Sequence, residues 1–159
     1  PIYTAPMDTV INMENIDIFN KNKINTCLPR YLDNDDDLYF HSYGLDDVID
    51  LFELDNLPKK LLIDVANGNM FKLWDLSRRI KEKYGSNIEL MIGNIANPKT
   101  YKKYCEIGVD YVRCGIGNGS VCTTSANVSI NYPMGSLISE CFTISKDFKN
   151  SPKIIAWWV

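Results

Sequence analysis

Short apolar runs alternate along the chain with longer stretches in which apolar positions recur every three or four residues. The runs are IYTAP (2–6), INTCL (24–28), LYFHS (38–42), KLLIDV (60–65), IELMIGN (88–94), DYVRCG (110–115) and KIIA (153–156). Their length and their β-branched and aromatic content predict strands. Helical patterns lie between most of them. In the clearest, after Asn69, positions Met70, Leu73, Trp74, Ser77 and Ile80 share one face. Arg78, Arg79, Lys81 and Lys83 suit the negative end of that helix, and Gly85 is a natural stop. A second helix opens at Pro98 and ends before Gly108, and a third covers about 134–146.

The runs are nearly continuous in apolar residues, as expected when helices cover both faces of a sheet. Such β-α alternation predicts an α/β fold with a parallel sheet, either doubly wound or a (β/α) barrel. Polar ends follow the strands at PMDT, DVANGN, GNIANP and GIGNG. A barrel builds its site from loops at these C-terminal strand ends.

Composition narrows the function classes. The 159 residues suffice for one domain, spanning 1–159, with a real core. A net charge of −3 gives no electrostatic case for nucleic acid as a partner. No apolar run approaches the ~20 residues that span a bilayer, and the N-terminus lacks a signal-peptide pattern, so a cytoplasmic protein is expected. Cys27, Cys105, Cys114, Cys122 and Cys141 are odd in number and form no C-x-x-C pair, which fits reduced thiols. The acidic run DNDDD (33–37) reads as a solvated loop rather than a metal site. His41, the only histidine, reads as a polar strand-end residue rather than a base, and the Trp74 stripe as core.

The stretch GIGNGSVCTTS (115–125) has three glycines at alternate positions and then a cysteine among hydroxyl residues. A dinucleotide fingerprint needs G-x-G-x-x-G running into a helix; here the third glycine comes one residue early. A phosphate-binding P-loop needs a Lys-Ser/Thr pair that is missing from this stretch. Spacing alone leaves a loop whose carbonyls or amides converge, ending in an accessible Cys122. Asp64, at the end of KLLIDV, lines a site or caps the following helix.

The segment VRCGIGNGSVCTT resembles the active-site signature of the IMP dehydrogenase and GMP reductase family. PIYTAPMDTV is similar to that family's first barrel strand, LLIDVANGN to its fourth, and MIGNIANPKTYKKYCEIGVDYV to its fifth strand, the following helix and the start of the sixth. The resemblance covers nearly the whole chain, most strongly 1–10, 60–69 and 91–140. DVANG and Tyr132-Pro133 resemble the reductase branch, whereas APMDTV leans toward the dehydrogenases. No paired regulatory domain is inserted after the second strand.

The resemblance implies a (β/α)8 TIM barrel and a purine nucleotide oxidoreductase. In a GMP reductase the Cys122 thiolate would attack C2 of GMP, ammonia would leave, and hydride from NADPH would give IMP through a thioimidate. A thiolate is both a strong nucleophile and a competent leaving group. Thr124 would move protons at the leaving amine. Carbonyls of Gly117, Gly119 and Cys122 would hold a monovalent cation such as K⁺, and Ser120 would reach the nucleotide phosphate. Asp64, Val65, Ala66, Ile116 and Gly117 would line the cofactor, with Arg30 where the family has a lysine. The intact family implies a homotetramer.

The chain also departs from the pattern. IIAWWV puts Trp157 where the family has an aspartate for the ribose hydroxyls, and Ser125 replaces a common arginine. The resemblance therefore implies an incomplete barrel, about six βα units with the seventh strand begun, present as a C-terminally truncated fragment. Such a chain alone is expected not to turn over GMP. The alternatives are an IMP dehydrogenase-like fragment, or a non-catalytic remnant that binds nucleotide or associates with intact barrels.

Overall fold

The computed structural model describes residues 1–32, 34–117 and 132–157. Six strands form one sheet: β1 (Cys27–Leu28), β2 (Phe40–Tyr43), β3 (Lys60–Asp64), β4 (Glu89–Ile95), β5 (Tyr111–Cys114) and β6 (Lys153–Ala156). Every neighbouring pair is parallel, and spatial order equals sequence order. A doubly wound sheet reverses its strand order at a switch point, so sequential order selects the barrel-type alternative.

The sheet curls. Tyr3 bridges Asn25 beside β1, yet its ring makes an edge contact with Tyr111 of β5, centroids 6.0 Å apart. Phe40 of β2 also meets Tyr111, at 5.4 Å. Side chains from strands so far apart in a sheet can touch only across a concave interior. That interior packs Cys27, Phe40, Leu62, Met91 and Tyr111, with Tyr3 and Ile155 against them. The fold is thus a curled, open portion of a (β/α)8 barrel. The run at 2–6 forms this single bridge rather than a strand, a difference from the sequence reading.

The opposite face carries the larger core. Leu61 and Ile63 of β3, Leu90 and Ile92 of β4, and Val112 and Cys114 of β5 alternate outward and are buried. The helices cover them: α2 (Leu45–Glu53), α3 (Phe71–Tyr84), α4 (Pro98–Ile107) and α5 (Met134–Ser145), while α1 (Ile16–Lys21) precedes β1. Strands buried on both faces explain the continuous apolar runs. In α3 the buried positions are Leu73, Leu76, Ser77 and Ile80. Met70 precedes the helix and is exposed, and Trp74 is half-buried, so the core stripe lies one position round from the predicted one. In α4, Pro98 takes the first turn and Asn97 caps it, its side chain accepting from the Lys99 amide at 2.9 Å.

Two buried tyrosines tie helix α4 to the loops. Tyr101 donates its hydroxyl to the Pro152 carbonyl at 2.6 Å, before β6. Tyr104 donates to the Gly68 carbonyl at 2.8 Å, fixing the β3–α3 loop. No helix of the described residues is long and apolar enough to cross a membrane.

Candidate functional site

The C-terminal ends of β3, β4 and β5 converge on one charged cluster. Asp64 closes β3, with Gly93 beside it on β4 and Arg113 beside Gly93 on β5. Parallel registry points all three positions to the concave face. The Arg113 side chain crosses β4, and its Nη2 donates to Asp64 Oδ1. A Cβ at Gly93 would sit 2.6 Å from the Arg113 Cβ and 2.9 Å from its carbonyl oxygen, so only glycine leaves this path open.

Arg30, in the loop after β1, approaches Asp64 from the other side. Its Nη2 donates to the Asp64 carbonyl and lies 3.3 Å from Oδ2. One carboxylate therefore faces two guanidinium groups, and Arg30 and Asp64 are in contact. Asp64 does not cap the next helix, whose N-cap is Met70 without a side-chain bond.

Val65 and Ala66 follow Asp64 on the rim. The Val65 amide donates to the Gly93 carbonyl and the Asn94 amide to the Val65 carbonyl, both at 2.8 Å. Val65 is half-buried and Ala66 exposed. The glycine loop is rooted beside them: the Gly115 amide donates to the Ile95 carbonyl at 2.8 Å, and Asn94 Nδ2 donates to the Gly115 carbonyl at 2.8 Å. Ile116 is buried, and Gly117 has a φ of 78°, a left-handed backbone that favours glycine. Gly119, Ser120, Cys122 and Thr124 lie outside the described residues.

Sequence reasoning assigned no role to Arg113 or Asn94. The signal for Arg113 was present, because a charge centred in the apolar run YVRC must find a partner once the strand is buried. For Asn94 the signal was a polar residue closing IELMIGN. Trp157 joins the cluster as well. Its amide donates to the Cys114 carbonyl at 2.8 Å, and the Arg113 guanidinium carbon lies 4.4 Å from its ring centroid.

The other thiols are not presented to solvent. Cys27, Cys105, Cys114 and Cys141 are free and buried. Burial pushes the Cys27 thiol up to about 12, overriding the nearby Arg113 charge. Burial also raises Cys105, to about 11. Cys114 is held well above the ordinary thiol range by its hydrogen bond to Cys141 and by burial. His41 sits buried in β2 with Nε2 3.1 Å from the Asp36 carbonyl, away from the cluster. Among the described residues no group of three or more His, Cys, Asp or Glu could hold a metal ion.

The arrangement offers a rim of backbone amides and carbonyls, a carboxylate fixed between two guanidinium groups, and the root of a glycine loop. These groups can orient a polar ligand over the strand ends.

Comparisons with known proteins point to one family. The IMP dehydrogenase / GMP reductase domain family matches residues 55–156. The GMP reductase of Caenorhabditis elegans is 30% identical over 159 residues, covering 89% of this chain and 44% of the relative. That of Buchnera aphidicola (subspecies Schizaphis graminum) is 28% identical, covering 89% of this chain and 45% of the relative. An inosine-5'-monophosphate dehydrogenase from Chlorobaculum parvum is 35% identical over 79 residues, covering 50% of this chain and 16% of the relative. The chain thus spans less than half the length of the GMP reductases it matches. With a family match over β3 to β6, the strands that carry the charged cluster, the chain belongs to the IMP dehydrogenase / GMP reductase family.

Proposed function

We propose that this chain carries part of a GMP reductase, catalysing NADPH-dependent reductive deamination of GMP to IMP. The observation that supports it most is the contact of Arg30 with Asp64 at the β3 end, inside the segment that matches GMP reductases along 89% of the chain. Cys122 adds to C2 of the guanine ring and ammonia departs, with Thr124 handling the proton at the leaving nitrogen. The sulfur is expelled once C2 is reduced. Splitting one displacement into two steps through a good leaving group lowers each barrier.

NADPH supplies the hydride when bound. Asp64, Val65 and Ala66 hold it on the rim, together with Ile116 and Gly117. The residues fit a polar cofactor, because Val65 is pinned on both sides by Gly93 and Asn94 and Arg30 presents a cation beside it. Arg113 keeps the Asp64 carboxylate in place. Gly117, whose φ of 78° favours glycine, would hold a monovalent cation through its carbonyl, together with the carbonyls of Gly119 and Cys122. Ser120 meets the nucleotide phosphate.

The second reading is a non-catalytic relative that still binds nucleotide. It is favoured by Trp157, whose indole lies over Arg113 where the family carries an aspartate. The experiment measures alkylation of Cys122 with and without GMP, and NADPH oxidation with GMP and K⁺. Protection of Cys122 by GMP, with any NADPH oxidation lost in Cys122→Ala, supports the reductase. Protection without oxidation fits a truncated reductase or the binding-only relative, and GMP-dependent ammonia release that is lost in Cys122→Ala then identifies the reductase. NAD⁺ reduction with IMP, or no protection at all, overturns both.

A further inference from the structure

Two thiols meet on the outer face of the sheet, behind the root of the glycine loop. Cys114 ends β5 and alternates with Val112 into the outer core, opposite the face on which Arg113 reaches Asp64. Cys141 is one of two buried positions on α5, with Leu137. Helix α5 packs on β5, β6 and α4, and this brings Cys141 onto Cys114. Both side chains are fully buried, and their thiols share a hydrogen bond. Cys105 of α4 lies close by as a third thiol. The residues between β5 and α5 include Cys122.

The pair is unequal. Accepting the hydrogen bond lowers the Cys141 thiol from its ordinary value, whereas the same bond and burial hold Cys114 well above it. With the proton kept on Cys114, Cys141 has the greater thiolate character, and the thiolate is the form that attacks oxidants. Packing alone needs only apolar volume here; two thiols in contact add the chemistry of oxidation. We propose that Cys114 and Cys141 are a redox-sensitive pair that a peroxide closes to a disulfide, bolting the end of β5 to α5 across the segment that carries Cys122. Cys141 Sγ attacks one peroxide oxygen, the O–O bond breaks, and water leaves a sulfenic acid on Cys141. Cys114 Sγ then displaces that hydroxyl, which departs as water with the Cys114 proton. Two thiols lose two electrons and two protons, and one hydrogen peroxide becomes two waters. Peroxide is scarcely larger than water and reaches these sulfurs through local opening of the outer helix. In a reducing compartment such a bridge is transient, and the reduced pair is the form seen here. The inference does not depend on the nucleotide reading.

The experiment treats the whole chain, carrying Cys122→Ser so that the loop thiol takes no part, with hydrogen peroxide under native conditions. Alkylation in urea and trypsin digestion follow. Between Cys114 and Lys146 there is no other Lys or Arg, so both thiols fall in one tryptic peptide, 114–146. An internal disulfide lowers the mass of that peptide by about 2 Da and removes both alkylation sites, and dithiothreitol restores them. Closing this loop raises the urea midpoint by about 1 M. Cys114→Val, apolar and of similar size, abolishes both the mass loss and the rise in midpoint. Four results overturn the proposal. They are an unchanged 114–146 peptide, a bridge joining it to Cys105 in peptide 104–113, oxidation of either thiol to a sulfinic acid without a bridge, and a bridge that lowers the midpoint.

Discussion

Arg113 on β5 reaches Asp64 on β3 across a strand that has no side chain in its way, because Gly93 stands between them. Three consecutive strands thus contribute a cation, a gap and an anion at one level of the barrel interior. This ties the site to the sheet rather than to the loops, and makes it sensitive to a change of a single methyl group.

Gly93→Ala is expected to destabilise the protein by about 2 kcal/mol, the scale of an overpacked interior. The added Cβ would meet Arg113 at 2.6 and 2.9 Å, against backbone and a rigid Cβ rather than a flexible tip. Urea denaturation should show a lower midpoint. Gly135→Ala in α5 is the control: nothing lies within 4 Å of its Cβ position, and a gain of up to about 1 kcal/mol is expected. Equal effects of the two substitutions would contradict the crossing of β4.

Alkaline pH should unfold the chain through its interior thiols. Cys27 is raised from 9.0 to about 12 by burial. With the folded value above the unfolded one, the folded state holds the proton longer. Its contribution is complete below pH 9 and is lost as pH rises toward 12. At ~1.4 kcal/mol per unit this amounts to about 4 kcal/mol. Stability measured by denaturant at stepped pH should fall through that window, and Cys27→Ala should flatten the fall.

Under native conditions a mild alkylating agent should modify Cys122 before any other cysteine. Cys27, Cys105, Cys114 and Cys141 are at most 6% exposed, and burial keeps Cys27 and Cys105 in the unreactive protonated form. Peptide mapping after brief exposure decides it. Early labelling of Cys105 or Cys141 would contradict the packing of α4 and α5 on the sheet.

The sequence made the sheet legible and the cluster only half so. Strands and helices leave periodic signals, and β3 to β6 with α3, α4 and α5 fall within a few residues of the predicted spans. The run at 2–6 carries the same apolar signal but forms one bridge, since a strand needs neighbours as well as propensity. Arg30 and Asp64 were picked out through family likeness. Arg113 was visible as a charge in an apolar strand, but its partner was not, because registry between β3 and β5 is a tertiary fact. Trp74 and Met70 illustrate the reverse: both suit a buried stripe, yet rotation of α3 buries Leu76 instead.

Asn94→Ala should loosen the root of the glycine loop without dismantling the sheet. The Asn94 side chain donates to the Gly115 carbonyl at 2.8 Å, while its amide holds the Val65 carbonyl at 2.8 Å. Alanine keeps the second bond and deletes the first. Gly115 is buried, so its carbonyl loses an acceptor bond that water replaces poorly, at a cost of about 1–2 kcal/mol. The Gly115 amide is separately bonded to Ile95, and β4 and β5 remain paired on both sides of the change. The effect should therefore be local. Hydrogen exchange should quicken at Gly115 to Gly117 by about tenfold, the equivalent of about 1.4 kcal/mol of local opening, while Leu90 to Ile92 in β4 keep their protection. Exchange that quickens equally across β4 and β5 would mean that Asn94 supports the sheet as a whole. Unchanged exchange at Gly115 would mean that the loop is held from elsewhere.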